Sequence, residues 1–312
     1  MTSVLDLAPR EFAPPEAPSR AHFLWEELAH LWDSNDLAAA HDWINERWSR
    51  LIRNSIAGQA DPEAQFLQAL AFAVLALHFT QHANQEGALL SDNPENIHQM
   101  RVALRRLRSL LPQFKSAIPR ESYAPVADEL KWLANALGPA RNWDVFVTQT
   151  LPPILRQFPS DPGLKTLYQK AGKARSEARN EAHMALRSRR YDRMLLSLGT
   201  WLMADGWKDH VSVEQQQRLD TPIPELAQQV LTACHKAVHR HGKALLEMPA
   251  KERHEVRIAV KKLRYATEFF ASLFPHKATR KYIKALEVLQ DELGILNDAA
   301  TTELLLQHLA GS

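Results

Sequence analysis

From Ala21 to the C-terminus, apolar residues recur at spacings of three and four, and no stretch alternates at every second position. That spacing predicts amphipathic helices, each buried along one face. Clusters of Pro, Gly, Asn and Asp interrupt it near Ser91–Pro94, Pro119–Ser122, Gly138–Pro139, Pro159–Gly163, Asp220–Pro224, Pro249, Pro275 and Gly294. Helices are expected to stop or start at these points. The segments between them run about 12 to 30 residues, which suits stacked helices joined by short connections. Between Ala21 and Ile56 the pattern carries Trp25, Trp32, Trp43 and Trp48, expected to pack as core. Ahead of it stand Pro9, Pro14, Pro15 and Pro18, which read as a flexible leader. The expected organisation is a leader at 1–20, a helical extension at 21–60 and a helical body at 62–312.

The body contains an internal repeat. Residues 98–108 read HQMRVALRRLR, and residues 254–264 read HEVRIAVKKLR. The offset of 156 persists downstream: Leu130, Leu133, Leu137 and Gly138 map onto Leu286, Leu289, Leu293 and Gly294, and Asn142 onto Asp298. One register held across about forty residues predicts two related units, about 62–210 and 222–312. The helix expected at 64–86 should mirror 222–243.

On a helical wheel, His98, Arg101, Arg105 and Arg108 fall within about 80° of one another, and Met100, Ala103, Leu104, Leu107, Leu110, Leu111 and Phe114 take the opposite face. The second copy repeats the arrangement, with His254, Arg257, Lys261 and Arg264 opposite Val256, Ala259, Val260, Leu263 and Phe270. Arg106 and Lys262 flank the stripe in both. A stabilising surface would pair Arg with Glu at i±4, yet no carboxylate occurs from His98 through Arg120. Arg101–Arg105 and Arg257–Lys261 are like-charge pairs at that spacing, each costing roughly 0.2–0.5 kcal/mol. Only Arg264 has an acidic neighbour there, Glu268. A self-repelling stripe present twice is explained if an anion supplies the missing charge. Two weaker stripes could extend the surface: Arg179, His183, Arg187 and Arg190, and then Lys236, His239, Arg240 and Lys243.

Composition narrows the alternatives. Only 10 of 312 residues are glycine, against a usual share of roughly 7%, which argues against Gly-rich phosphate loops and turn-dense all-β folds. The single cysteine, Cys234, excludes an intrachain disulfide and Cys-rich zinc modules. The longest apolar stretch, Phe66 to Phe79, is shorter than the roughly 20 residues of a spanning helix. The opening MTSVLDLAPREF lacks the pattern of a secretion signal. A soluble, cytoplasmic, all-α protein is expected. The formal charge of +2 conceals a split: residues 1–93 hold 5 Arg/Lys and 13 Asp/Glu, and residues 94–312 hold 33 and 23. A basic body of this kind suits a polyanionic partner.

The motifs H-x-x-R-V-x-x-R-R-L-R-S and H-x-x-R-I-x-x-K-K-L-R-Y, each followed by L-G and then by R-N-x-D or L-N-D, resemble those of the CHAD domain, the conserved histidine α-helical domain. The resemblance covers roughly 62–312. It implies two antiparallel four-helix bundles related by pseudo-twofold symmetry, here with extra N-terminal helices. It also implies a basic central pocket that binds inorganic polyphosphate without catalysis, metal or cofactor. By position, His98, Arg101, Arg105, Arg106 and Arg108 would line the pocket from one unit, and His254, Arg257, Lys261, Lys262 and Arg264 from the other. The segment LRSRRYDR (186–193) is similar to the family's middle basic helix, which favours Arg187 and Arg190. Many relatives carry an N-terminal CYTH barrel that needs E-x-E-x-K; no two glutamates here are separated by one residue, so no triphosphatase activity is inherited.

Three rival readings stand beside this one. Nucleic-acid binding suits the cation stripes, but stacking platforms do not recur, since Tyr265 on the basic side matches Ser109. A metal-dependent hydrolase built on His98 and His254 would want carboxylates where cations stand. A scaffold docking on storage granules through granule-associated proteins would make anion binding secondary.

Overall fold

The structure, a computed structural model, describes residues 85, 87–115, 117–203, 206–219, 221–241 and 248–310. The expected leader, the tryptophan-bearing extension, most of the helix at 64–86, and Lys243 lie outside that set. Every regular element among the described residues is helical, as the spacing predicts. In chain order they are α1 (Pro94–Leu110), α2 (Arg120–Ala136), α3 (Gly138–Val145), α4 (Leu151–Gln157), α5 (Pro162–Leu186), α6 (Arg189–Met203), α7 (Val213–Leu219), α8 (Ile223–His241), α9 (Ala250–Phe269) and α10 (His276–Ala310).

Helix starts follow the breakers. The Asn93 side chain accepts the Glu95 N–H at 3.0 Å and Pro94 takes the first helical position. Asp161 does the same for Leu164 at 2.9 Å ahead of Pro162. In both cases a short polar side chain satisfies an orphan N–H and proline fills a site whose N–H has no partner. The repeat is visible in the same starts: α1 and α9 begin at Pro94 and Ala250, α2 and α10 at Arg120 and His276, both pairs 156 apart. Each motif helix ends in a 3-10 turn, Leu111–Phe114 or Ala271–Leu273. Pro112 cuts α1 short. Its counterpart is Glu268, and α9 runs on to Phe269.

Two expectations need correction. No break occurs at Gly294, which sits inside the continuous α10. Gly138 precedes Pro139, which has no N–H to return to the carbonyl four residues back and whose ring crowds that carbonyl, so the helix breaks at Leu137. Gly294 has no such neighbour, and the roughly 1 kcal/mol that glycine costs a helix is not enough to end one. Arg179, His183, Arg187 and Arg190 do not share a helix either, because α5 ends at Leu186 and Arg190 belongs to α6. Ser188 stands between them and accepts the Tyr191 N–H at 3.2 Å, capping the new helix.

The faces named from periodicity are the buried ones. Met100, Ala103, Leu104, Leu107, Leu110, Leu111 and Phe114 are all buried, as are Val256, Ala259, Val260, Leu263 and Phe270. The α1 face joins Leu130, Leu133 and Leu137 of α2, and Ala171, Ala174, Ala178 and Ala182 of α5, in one large core. Full burial of Leu104 or Leu107 contributes roughly 1.5–3 kcal/mol. A second, smaller core joins Val256, Val260 and Leu263 of α9 to Leu286 and Leu293 of α10. Leu231 and Cys234 of α8 touch both. Each motif helix is thus held from behind by the helix that follows it, in the same register, and its polar stripe is left to the other side.

One buried ion cluster fixes the first unit. Asp144 of α3 is 0% exposed, and its Oδ1 accepts from Arg175 Nε at 2.6 Å and lies 3.3 Å from Arg179 Nε. Arg179 also donates to Asp92 Oδ1 at 2.8 Å and to the Asp92 carbonyl at 2.7 Å. One guanidinium thereby ties α5 to α3 and to the residue before the α1 N-cap.

Candidate polyanion site

In the first row, His98, Arg101 and Arg105 are half-buried along α1, and Arg106 and Arg108 are exposed. Arg101 Nη1 donates to the Ala134 carbonyl of α2 at 2.8 Å. A Cβ on Gly138 would stand 3.2 Å from that same Nη1, so the glycine leaves room for the guanidinium. Arg101 Nε and His98 Nδ1 are buried and have no hydrogen-bond partner among the described residues. Burial, followed by Arg105, Arg141 and Arg108, pushes the Arg101 guanidinium well below its ordinary value, down to about 10. Burial also lowers the His98 imidazole, followed by Arg141; Glu95 opposes them, and Arg105 and Arg101 add smaller lowering effects. At neutral pH the arginines remain charged. Among the described residues, the N-terminal half of the row is therefore a crowd of cations with little compensating negative charge.

Arg141 is the member that sequence reasoning missed. It comes from α3, and among the charges acting on His98 it has the largest effect. Its place in R-N-x-D was visible, but nothing local shows that α3 folds back beside α1.

In the second row, His254 and Lys262 are exposed, and Arg257, Lys261 and Arg264 are half-buried on α9. Arg257 repeats Arg101: its Nε is buried without a hydrogen-bond partner among the described residues, and a Cβ on Gly294 would stand 3.8 Å from its Nη2. The far end of the row differs. Arg264 donates to Glu268 Oε1 at 2.5 Å and to Gln290 Oε1 at 3.1 Å, and lies 3.8 Å from Glu287. Helix α9 packs against α1, and Arg106 of α1 donates to Glu268 Oε2 at 3.3 Å. The two rows thus meet at one carboxylate. Tyr265 is buried, with the Arg264 guanidinium 4.8 Å from its ring centre; the ring is not displayed on the basic side.

The weaker stripes divide. Arg179 is 8% exposed and held by Asp92 and Asp144, so its charge is committed to the scaffold. Arg190 is exposed, donates to both oxygens of Glu129 at 2.9 and 3.0 Å and lies over Trp132 at 4.4 Å. His183 is half-buried and Arg187 exposed. Lys236 and Arg240 are exposed on α8, and Arg240 and Lys262 line a groove between α8 and α9 together with Cys234, Glu255 and Ile258. Among the described residues, no group of three or more His, Cys, Asp or Glu is placed to hold a metal ion, and no helix is long and apolar enough to cross a membrane.

Comparison with known proteins gives a consistent picture. The family profile of the CHAD domain matches residues 73–307. The crystal structure of the CHAD domain from the plant Ricinus communis superposes with a TM-score of 0.69 at 34% identity, covering 79% of each chain. PptA from Streptomyces chartreusis shares the fold with a TM-score of 0.50 at 15% identity, over 79% of this chain and 99% of that one. Two uncharacterized proteins of Mycobacterium tuberculosis are 32% identical over 114 residues, 36% of this chain. The match spans only 22% of the length of those relatives.

Proposed function

Because the chain belongs to the CHAD domain family, we propose that it binds inorganic polyphosphate along the two cation rows, without changing it chemically. The observation that supports this most directly is the crowding of Arg105, Arg108 and Arg141 on Arg101, and of Arg101, Arg105 and Arg141 on His98. A fold gains nothing from such an arrangement unless an anion completes it. Polyphosphate carries about one negative charge per phosphoryl unit on a flexible chain. Guanidinium forks take its oxygens in pairs and lysine ammonium groups follow as point charges. Several cations engaged at once give an affinity that grows with chain length and falls steeply with salt. Binding of this kind would carry the protein to polyphosphate or storage granules in the cytoplasm.

The test is titration with polyphosphates of graded length at two salt concentrations, on the wild type and on Arg105→Glu/Lys261→Glu. The wild type should bind longer chains more tightly, with a log–log salt slope of about −0.7 per phosphate neutralised, and the reversal should abolish binding. Chains recovered after hours with Mg²⁺ or Mn²⁺ should keep their length. Displacement of polyphosphate by single-stranded DNA or RNA at equal phosphate concentration would overturn the choice of ligand.

A further inference from the structure

Among the register positions at which the two motif helices differ is Pro112 against Glu268, and that difference places an acid inside the site. Proline stops α1, whereas in the second copy α9 continues for another turn and carries Glu268 with it. Glu268 Oε1 accepts from Arg264 at 2.5 Å and Oε2 from Arg106 at 3.3 Å. A single carboxylate thus spans two guanidinium groups on different repeats, each oxygen facing one of them. A phosphoryl group presents its oxygens in the same way, as two acceptors on one centre.

We propose that Arg106 and Arg264 form a phosphoryl subsite joining the two rows, and that Glu268 is the internal counter-ion occupying it until a polyphosphate chain displaces it. The inference rests on the polyphosphate reading above. Its chemistry is exchange of one anion for another on the same donors, with no bond made or broken. Glu268 therefore lowers the affinity for the ligand while satisfying both arginines in the free protein. The Arg106 pair is half exposed and contributes modestly; the Arg264 pair is more enclosed, so displacing it draws on the multivalent grip of a chain already held at Arg101 and Arg141.

Three measurements on the full chain test this, with medium-length polyphosphate as the probe. Glu268→Gln should bind roughly two- to fivefold more tightly than the wild type, the range expected when one or two such pairs no longer have to be broken. Arg106→Gln should weaken binding more in the Glu268→Gln background than alone, a coupling that a purely structural role would not produce. In the wild type itself, carboxyl labelling read by mass spectrometry should rise at Glu268 on adding polyphosphate, while the distant exposed Glu177 and Glu214 stay constant. Unchanged or weaker binding by a natively melting Glu268→Gln would overturn the proposal, as would labelling at Glu268 that holds steady or falls. A wild type that fails to bind polyphosphate would instead remove the reading beneath it.

Discussion

Arg141→Gln should move stability and binding in opposite directions. The substitution removes the charge that presses on both His98 and Arg101, while the Arg101 bond to the Ala134 carbonyl stays in place. Like-charge neighbours on helices cost roughly 0.2–0.5 kcal/mol each, and at neutral pH the one relieved is with Arg101, because the lowered His98 imidazole is then uncharged. The free protein should gain about 0.2–0.5 kcal/mol, which for a body of this size is about 0.5–2 °C in melting temperature. The same change removes one charge-assisted contact to phosphate, worth roughly 1.5–3 kcal/mol, so affinity for polyphosphate should drop at least about tenfold. A third readout ties the two together: the His98 imidazole, followed by NMR, should titrate at higher pH than in the wild type. Thermal unfolding with and without ligand, together with calorimetric titration, measures all of this on one preparation. A variant that melts lower and binds polyphosphate unchanged would show Arg141 to be scaffold, and the argument from undercompensated charge would fail.

Other outcomes follow from the same geometry. Gly294→Ala should stabilise by about 0.5–1 kcal/mol, since the position lies inside α10 and the added Cβ makes an ordinary contact with Arg257; Gly138→Ala should gain less in thermal melts and weaken polyphosphate binding, because its Cβ presses on Arg101 at 3.2 Å. Asp144→Ala leaves the Arg175 and Arg179 guanidinium groups without their buried acceptor and should cost about 3–5 kcal/mol in denaturant unfolding. The His98 imidazole is lowered in the fold, so the unfolded chain takes up its proton first as the pH falls below about 6.5. Melting temperature should therefore fall in that window without ligand and fall less with polyphosphate bound, and His98→Gln should abolish the difference.

What could be read from the sequence was whatever depends on near neighbours. Residues three and four apart must share a helix face, so the buried sets of α1 and α9 were fixed by periodicity, and the offset of 156 carried over to the starts of four helices. Pairing of Arg264 with Glu268 was equally local. What could not be read depends on which helix lies next to which. Arg141 stands beside His98 only because α3 folds back on α1. Arg179 reads as one more cation on a basic stripe until Asp92 and Asp144 are seen to enclose it. The reach of Arg106 to Glu268 crosses 162 residues. The misplaced break at Gly294 has a different origin: glycine weakens a helix without ending it, and a proline follows Gly138 where an isoleucine follows Gly294.

Helix α3 makes the strongest case that the exposed charge has a purpose outside the fold. It carries an arginine and an aspartate three positions apart, Arg141 and Asp144. The aspartate turns into the core, where two arginines of α5 hold it. The arginine turns toward α1, where further cations already crowd. A sequence shaped for stability alone could have exchanged these roles or placed a carboxylate opposite Arg101. Instead the acid is used behind the row, to anchor α5 and the α1 N-terminus, and among the described residues the row in front is left with excess positive charge. The buried cluster is what makes that excess sustainable: removing either partner there costs several kcal/mol, more than the roughly 0.2–0.5 kcal/mol each repulsion in front costs. The scaffold can thus hold cations together without an anion, and a polyanion of the kind proposed would find them already gathered.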